Sequence, residues 1–257
     1  MAWLDALPTE GREMSRSDLS MRYAREEGVA MVLASMAMLL LMALGAALIM
    51  VTTTENAIAS NFRAAGEAFY AADAVLTRAL IDLRDLPNWD QALDGSVRSS
   101  LAAGAPSGLR RLSDGSTVDF ARVISLANCR KRSPCSPVDE TAVTDERPWG
   151  ANNPHWQPYA FGTLDELAGA APQGSPFYVV ALIADDPAEN DADPLHDGLV
   201  VGPLPNPGRH VLMVRGEAFG PRGAHRAVEA VVFRFRLDEA DPASPLRLRM
   251  LRWRELR

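Results

Sequence analysis

The stretch that decides the fold is REEGVAMVLASMAMLLLMALGAALIMVTTTE, residues 25–55. It contains 26 consecutive uncharged residues, Val29 to Thr54, in a chain of 257 residues with 26 basic and 33 acidic side chains. At about 1.5 Å per residue, a helix over 29–51 is roughly 35 Å long, which is enough for a hydrocarbon core of roughly 30 Å. The sequence therefore predicts a transmembrane helix over residues 29–51.

The flanks of this run indicate its orientation. Several arginines precede the run, whereas Arg63 alone follows closely after it. By the positive-inside rule, we expect the N-terminus in the cytoplasm and the following domain on the other side of the membrane. A cleaved secretory signal would have an apolar core of only about 7–15 residues. The length of the run therefore favours a retained span.

An amphipathic segment follows the run without any helix breaker. Its apolar residues recur at steps of three and four, which is the spacing of one helix face. These residues are Ile58, Phe62, Ala65, Phe69, Ala72, Leu76, Leu80 and Leu83. Pro87 disfavours the helical conformation at Leu86. We expect one continuous helix over 29–86, transmembrane over 29–51 and amphipathic over 52–86.

Residues 87–257 have the pattern of a β-rich domain. Asp114-Gly115 separates two candidate strands, and further strands are predicted at 177–184, 210–219 and 224–237. Apolar and polar residues alternate in the last two, which predicts an antiparallel sheet with one face covered by the amphipathic helix and one face in water. The predicted fold class is α+β, with a long N-terminal helix packed on a C-terminal antiparallel sheet.

The N-terminal region resembles that of PilX-type minor pilins of type IV pili. The resemblance is carried by Gly28 before the apolar run, by Thr52-Thr53-Thr54, by Asn61-Phe62-Arg63 and by the segment AFYAADA at 68–74, and it covers about residues 22–90. It implies a pilin-like fold with a cytoplasmic prepilin leader over 1–28, the long helix over 29–86 and an extracytoplasmic globular domain over 87–257.

The resemblance also implies processing, location and partners. A prepilin peptidase would cut between Gly28 and Val29, and the new N-terminus would be methylated. The protein would begin in the bacterial inner membrane and pass, through the membrane assembly platform, into a periplasmic or cell-surface filament with other minor and major pilins. The fifth mature position is Leu33, where pilins usually have Glu, which suits an initiating or tip subunit.

Two alternatives stay open at this point. The first is the tip pseudopilin of type II secretion, which is similar in lacking that Glu. The second is an uncleaved single-pass protein whose membrane-anchored domain binds a partner. Insertion into the bilayer is the same in all three cases, so hydropathy does not separate them.

Cys129 and Cys135 are the two cysteines of the chain. In an extracytoplasmic domain we expect them to form a disulfide, because that compartment is oxidising. Two separate thiols are the alternative, and a zinc site would lack its other ligands.

The loop DDPAENDADPLHDG, residues 185–198, concentrates six carboxylates. Calcium takes six to eight oxygen ligands, and Asp191, Asp193 and Asp197 are its candidate ligands here. The spacing differs from that of an EF-hand, since Pro194 follows and the bidentate Glu is absent. This difference favours an ordinary solvated loop without a cofactor, with calcium as the alternative.

The C-terminal segment PLRLRMLRWRELR alternates basic and apolar residues. Arg247, Arg249, Arg252, Arg254 and Arg257 could meet a nucleic-acid backbone. However, period-two alternation is typical of a strand with a charged outer face, and the net charge of −7 argues against nucleic acid as a partner. No nucleophile or phosphate-loop motif is present, so we expect a protein that is not an enzyme.

Overall fold

The structure is a computed structural model that describes the backbone of residues 16–168, 174–198, 203, 205–238, 240–241 and 243–256, with side chains from residue 28. The first fifteen residues of the predicted leader and Arg257 lie outside this range. The chain divides into two compact units, Met1–Ala59 and Ser60–Arg257.

Helix α1 runs continuously over Arg16–Asp85. It begins earlier than the predicted start at Val29, and it contains Gly28 without interruption. Its end at Asp85 agrees with the stop predicted from Leu86-Pro87, because the residue before a proline is pushed out of the helical region. The prediction of a single long helix is therefore confirmed.

The second unit contains one five-stranded sheet in which sequential strands are neighbours. The strands are β3 (Gln157–Thr163), β4 (Tyr178–Asp185), β5 (Val211–Phe219), β6 (His225–Arg236) and β7 (Leu246–Leu256), preceded along the chain by the two short strands β1 (Leu109–Arg111) and β2 (Thr117–Asp119). All pairs in the large sheet are antiparallel. This confirms the α+β class and the strands predicted at 177–184, 210–219 and 224–237.

One face of the sheet packs against the C-terminal part of α1. The buried helix residues are small or aliphatic, and they share one core with inward side chains of β4, β5 and β6. They are Ala68, Ala71, Ala72, Val75, Leu76, Ala79 and Leu83. The predicted apolar stripe therefore covers the sheet only from residue 68 onward, since Ile58 and Phe62 at its start are exposed.

The closest approach of helix to sheet occurs at Gly216 in β5. A Cβ atom built there would lie 2.2 Å from the carbonyl oxygen of Ala72 and 3.0 Å from Cβ of Leu76. Only a glycine fits at this point without moving the helix backbone, and Ala72 on the helix is correspondingly small. The pair Gly216 and Ala72 thus sets the distance between the two layers.

The opposite face of the sheet is also covered, contrary to the prediction that it faces water. Helix α3 (Phe120–Cys129) and the β1–β2 hairpin lie over it and form a second core. All of β4 and all of β5 except Phe219 are buried. Arg215 and Glu217 alternate with apolar residues of β5, which predicted a solvent-exposed face. Both are instead buried and form a charged pair. Alternating polarity therefore misidentified the solvent side.

The segment after Asp114-Gly115 forms a strand of three residues and then a helix. Asp119 ends β2 and caps α3, because its carboxylate accepts from the backbone N–H groups of Ala121 and Arg122. Three short helices complete the fold: α2 (Asp90–Leu93), α4 (Pro137–Glu140) and α5 (Leu164–Ala168). The hairpin prediction is confirmed, but its second strand is shorter than the sequence suggested.

We predict that Gly216→Ala destabilises the full chain by about 1–3 kcal/mol, because the added methyl group must displace helix backbone rather than a flexible side chain. Urea unfolding of the detergent-solubilised protein measures this. Gly66→Ala is the matched control. Apart from the neighbouring turns of its own helix, no described atom lies within 4 Å of the position of the added methyl group. Alanine also favours a helix over glycine by up to about 1 kcal/mol. Equal effects of the two substitutions would contradict the close approach.

Candidate membrane helix and buried acidic cluster

The apolar segment of α1 is the first candidate functional surface. The helix over Gly28–Asp85 is long and apolar enough to cross a membrane, and its most apolar window is not buried by any described part of the protein. Large side chains such as Met31, Leu41 and Ile49 are all exposed. By length and composition, this segment could span a bilayer. The predicted processing residues Gly28 and Val29 lie on the same exposed helix.

Helix α1 exposes apolar side chains beyond the membrane-length run as well. Phe62 is 82 % exposed, and Ile58, one helical turn earlier, is exposed too. Phe62 follows Val51 by 11 residues in the chain. Past this point the helix buries residues against its own sheet, so the exposed pair occupies the stretch between the apolar run and the buried seam.

The second candidate site is a group of three carboxylates at the end of β4 and in the loop that follows. Asp185, Glu189 and Asp197 each place one carboxylate oxygen within 4.8 Å of the others. Asp185 is 3 % exposed and Glu189 is 5 % exposed. We call these three residues the acidic cluster. Its burial contradicts the prediction of an ordinary solvated loop.

Burial and mutual repulsion shift the acidities in this cluster. Loss of hydration, together with the nearby charges of Glu189 and Asp197, raises the pKa of Asp185 to about 10. Loss of hydration and the adjacent Asp191 raise the pKa of Glu189 to about 8. Both shifts show that ionised carboxylates are poorly accommodated by the surrounding protein groups.

Hydrogen bonds hold the loop around the cluster. One oxygen of Glu189, Oε2, accepts from the backbone N–H of Gly198 at 2.9 Å and from Nδ2 of Asn206 at 3.0 Å. Asp197 accepts from the backbone N–H of His210 at 2.6 Å, and its own N–H donates to Asp90 in α2 at 2.9 Å. The loop is therefore fixed both to the start of β5 and to the segment after α1.

Arg234 connects the cluster to the end of the long helix. Its guanidinium lies 3.8 Å from Asp197 and donates to the carbonyl oxygen of Leu86 at 2.6 Å. It also stacks 4.0 Å above the ring of the buried Trp89. Burial lowers the pKa of Arg234, and the charge of Asp197 opposes this shift.

Of the three predicted calcium ligands, only Asp197 belongs to the acidic cluster. Asp191 lies beside the cluster, and its carboxylate accepts from Asn206 at 3.1 Å. Asp193 instead pairs with His196 at 2.8 Å on the surface. Asp185 and Glu189 were not among the predicted ligands, although Asp185 stands at the end of a strand. That position, directly after an all-apolar run, was the available signal.

Arg247, Arg249, Arg252 and Arg254 lie in strand β7, which confirms the strand interpretation for these described residues. Arg254 donates to the buried carboxylate of Glu229 at 2.6 Å, and Arg252 lies 3.7 Å from the same oxygen. Glu229 also accepts from Arg215 at 3.2 Å. Two of the predicted basic residues are thus engaged with a carboxylate inside their own sheet.

Cys129 and Cys135 are joined by a disulfide, with an S–S distance of 2.00 Å. The bond closes the short loop between α3 and α4, which carries Arg130, Lys131 and Arg132. Lys131 and Arg130 pair with Asp139 and Glu146, respectively. These exposed pairs offer little specific binding energy of their own.

We predict that Arg234→Met destabilises the protein by about 3–5 kcal/mol, because it leaves buried Asp197 without its guanidinium partner. The control is Arg226→Met, which removes a half-exposed pair with Glu255 and should cost no more than about 1 kcal/mol. Urea unfolding of both full-length variants in detergent tests the difference. If Arg234→Met lowered the free energy of unfolding as little as the control does, Arg234 would not stabilise the connection between Asp197 and Leu86.

Comparison of the chain with protein-family models, with curated proteins and with solved structures gave no match. The grounds for a function are therefore the chain's own residues and the contacts described above.

Proposed function

We propose that this protein is a minor pilin or pseudopilin that helps to initiate or cap a type IV pilus or a related filament. Its role in this proposal is non-catalytic: the subunit acts by packing its helix among the helices of neighbouring subunits. Two features support it together, namely the resemblance of residues 22–90 to PilX-type minor pilins and the exposed apolar surface of α1.

The observation that carries the proposal is the exposure of Ile58 and Phe62. A membrane anchor needs apolar side chains only across the bilayer, yet this pair lies beyond the 23-residue span predicted at 29–51. Ile58 and Phe62 extend the exposed apolar surface of the preceding run along the helix, and contiguous exposed apolar surface marks an interaction site. In a filament, the helices of adjacent subunits would cover them.

The other partners follow from the same proposal. A prepilin peptidase would remove residues 1–28, and the mature N-terminus at Val29 would be methylated. The subunit would first reside in the inner membrane, with its sheet domain outside the cytoplasm. The assembly platform would then transfer it into the filament with the other pilins. Leu33 in place of Glu would restrict it to few copies, at the start or tip.

We predict that Phe62→Ala lowers incorporation into filaments without changing the stability of the domain. Burial of the ring against a sister helix contributes about 1.5–3 kcal/mol, so its removal should reduce incorporation about tenfold or more. Sheared filaments, immunoblotted for this chain, give the measurement. Thermal melting should be unchanged, because the Phe62 ring is almost fully exposed within its own subunit.

The matched control is Val138→Ala, which truncates another exposed apolar residue, 76 % exposed, on α4 instead of α1. It should leave incorporation unchanged. Normal incorporation of Phe62→Ala, or an equal loss in both variants, would argue against packing through the helix.

A second prediction concerns the mature N-terminus. In cells that contain a prepilin peptidase, mass spectrometry of the purified protein should find N-methylated Val29 as the first residue. Membrane-bound protein that still begins at Met1 in such cells would favour the uncleaved anchor instead, and filaments that never contain the chain would exclude the filament role.

A further inference from the structure

The acidic cluster contains oxygen atoms that the protein leaves without partners. Asp185 Oδ1 and Glu189 Oε1 are both buried, and among the described residues neither has a hydrogen-bond donor. Buried carboxylate oxygens normally accept hydrogen bonds, because loss of hydration without replacement costs free energy. Two such atoms in one cluster therefore indicate a missing positive partner.

The described side chains supply too little positive charge. Four carboxylates meet here, since Asp191 adjoins the three residues of the cluster. Facing them are the guanidinium of Arg234, 3.8 Å from Asp197, and His210 Nδ1, 3.4 Å from the same oxygen. Both groups approach Asp197 only, so Asp185 and Glu189 have no salt-bridge partner in the described part of the chain.

We propose that Asp185, Glu189 and Asp197 bind one divalent cation, and that this cation is calcium. The candidate ligand oxygens lie within 4.8 Å of one another. Two ligands on opposite sides of a calcium ion are separated by about 4.6–5.2 Å, twice the usual distance of about 2.3–2.6 Å between calcium and oxygen. Three oxygens within this distance of one another can belong to one calcium coordination sphere.

The chemistry of the site favours calcium over other divalent ions. All three donors are carboxylates, which are ligands of hard cations, and neither sulfur nor imidazole belongs to the set. The donors come from a strand end and an irregular loop, and calcium tolerates such uneven geometry, whereas magnesium requires a near-ideal octahedron. Water would complete the coordination.

The position of the site gives the ion a structural role. The same Asp197 donates its N–H to Asp90 and pairs with Arg234, which in turn binds the carbonyl oxygen of Leu86 just after α1. An ion bound at the cluster would therefore lie beside the contacts that join the 186–198 loop to the segment that follows the long helix. This inference is independent of the proposed filament role.

Calcium binding is testable on the full chain in detergent, after removal of metals with a chelator. Near neutral pH, isothermal titration with calcium should show one site with a dissociation constant of about 1 mM or tighter, the range of extracellular calcium modules. At about 10 mM calcium, the Tm should rise by several degrees, because the ion binds only the folded state. Magnesium at the same concentration should have a smaller effect.

The variants Asp185→Asn and Glu189→Gln keep the side-chain shape and remove one charge each. Both should lose the calcium-dependent rise in Tm, while their Tm in chelator stays equal to or above that of the wild type, which shows that they fold. Asp193→Asn is the matched control, because its carboxylate lies in the same loop but pairs with His196 on the surface. It should respond to calcium as the wild type does.

Three results would overturn the proposal. The first is the absence of saturable calcium binding to the wild-type chain, which would mean that the cluster is held neutral by protons. The second is a calcium response that survives in Glu189→Gln. The third is a magnesium response equal to or larger than that of calcium.

Discussion

The close approach of α1 to β5 is the constraint on which the sheet domain depends. Gly216 and Ala72 leave no room for another methyl group, so the helix backbone rests almost directly on the strand. The helix face from Ala68 to Ala79 shares one core with three central strands, and Val75 and Leu76 lie within it beside the small alanines. Phe69, which is only partly buried, forms an edge-to-face pair with Trp253.

Two groups of buried carboxylates in the described part of the domain are compensated differently. On the sheet, Glu229 is surrounded by Arg215 and Arg254, so its charge is compensated by side chains. In the acidic cluster, the carboxylates outnumber the cations, and two oxygens are left unpartnered among the described residues. In the first arrangement side chains supply the compensating charge, whereas the second calls for an ion or for protons.

The sequence was most informative where a pattern is local and long. The apolar run, the helical stripe and the proline stop correctly predicted one helix ending at Asp85, and alternation predicted strands β5, β6 and β7. It was least informative about burial. Arg215 and Glu217 alternate with apolar residues as solvent-facing side chains would, yet both are buried, because Arg215 pairs with Glu217 and with Glu229.

For this protein, the sequence by itself determined the helix, its membrane-length apolar segment and the α+β class. These properties depend on residues close together in the chain, and local physics is enough to predict them. Only the tertiary structure decided that the sheet is covered on both faces and that Asp185 joins Glu189 and Asp197. Those contacts form between distant segments, and no local pattern specifies which carboxylates meet when the strands pair.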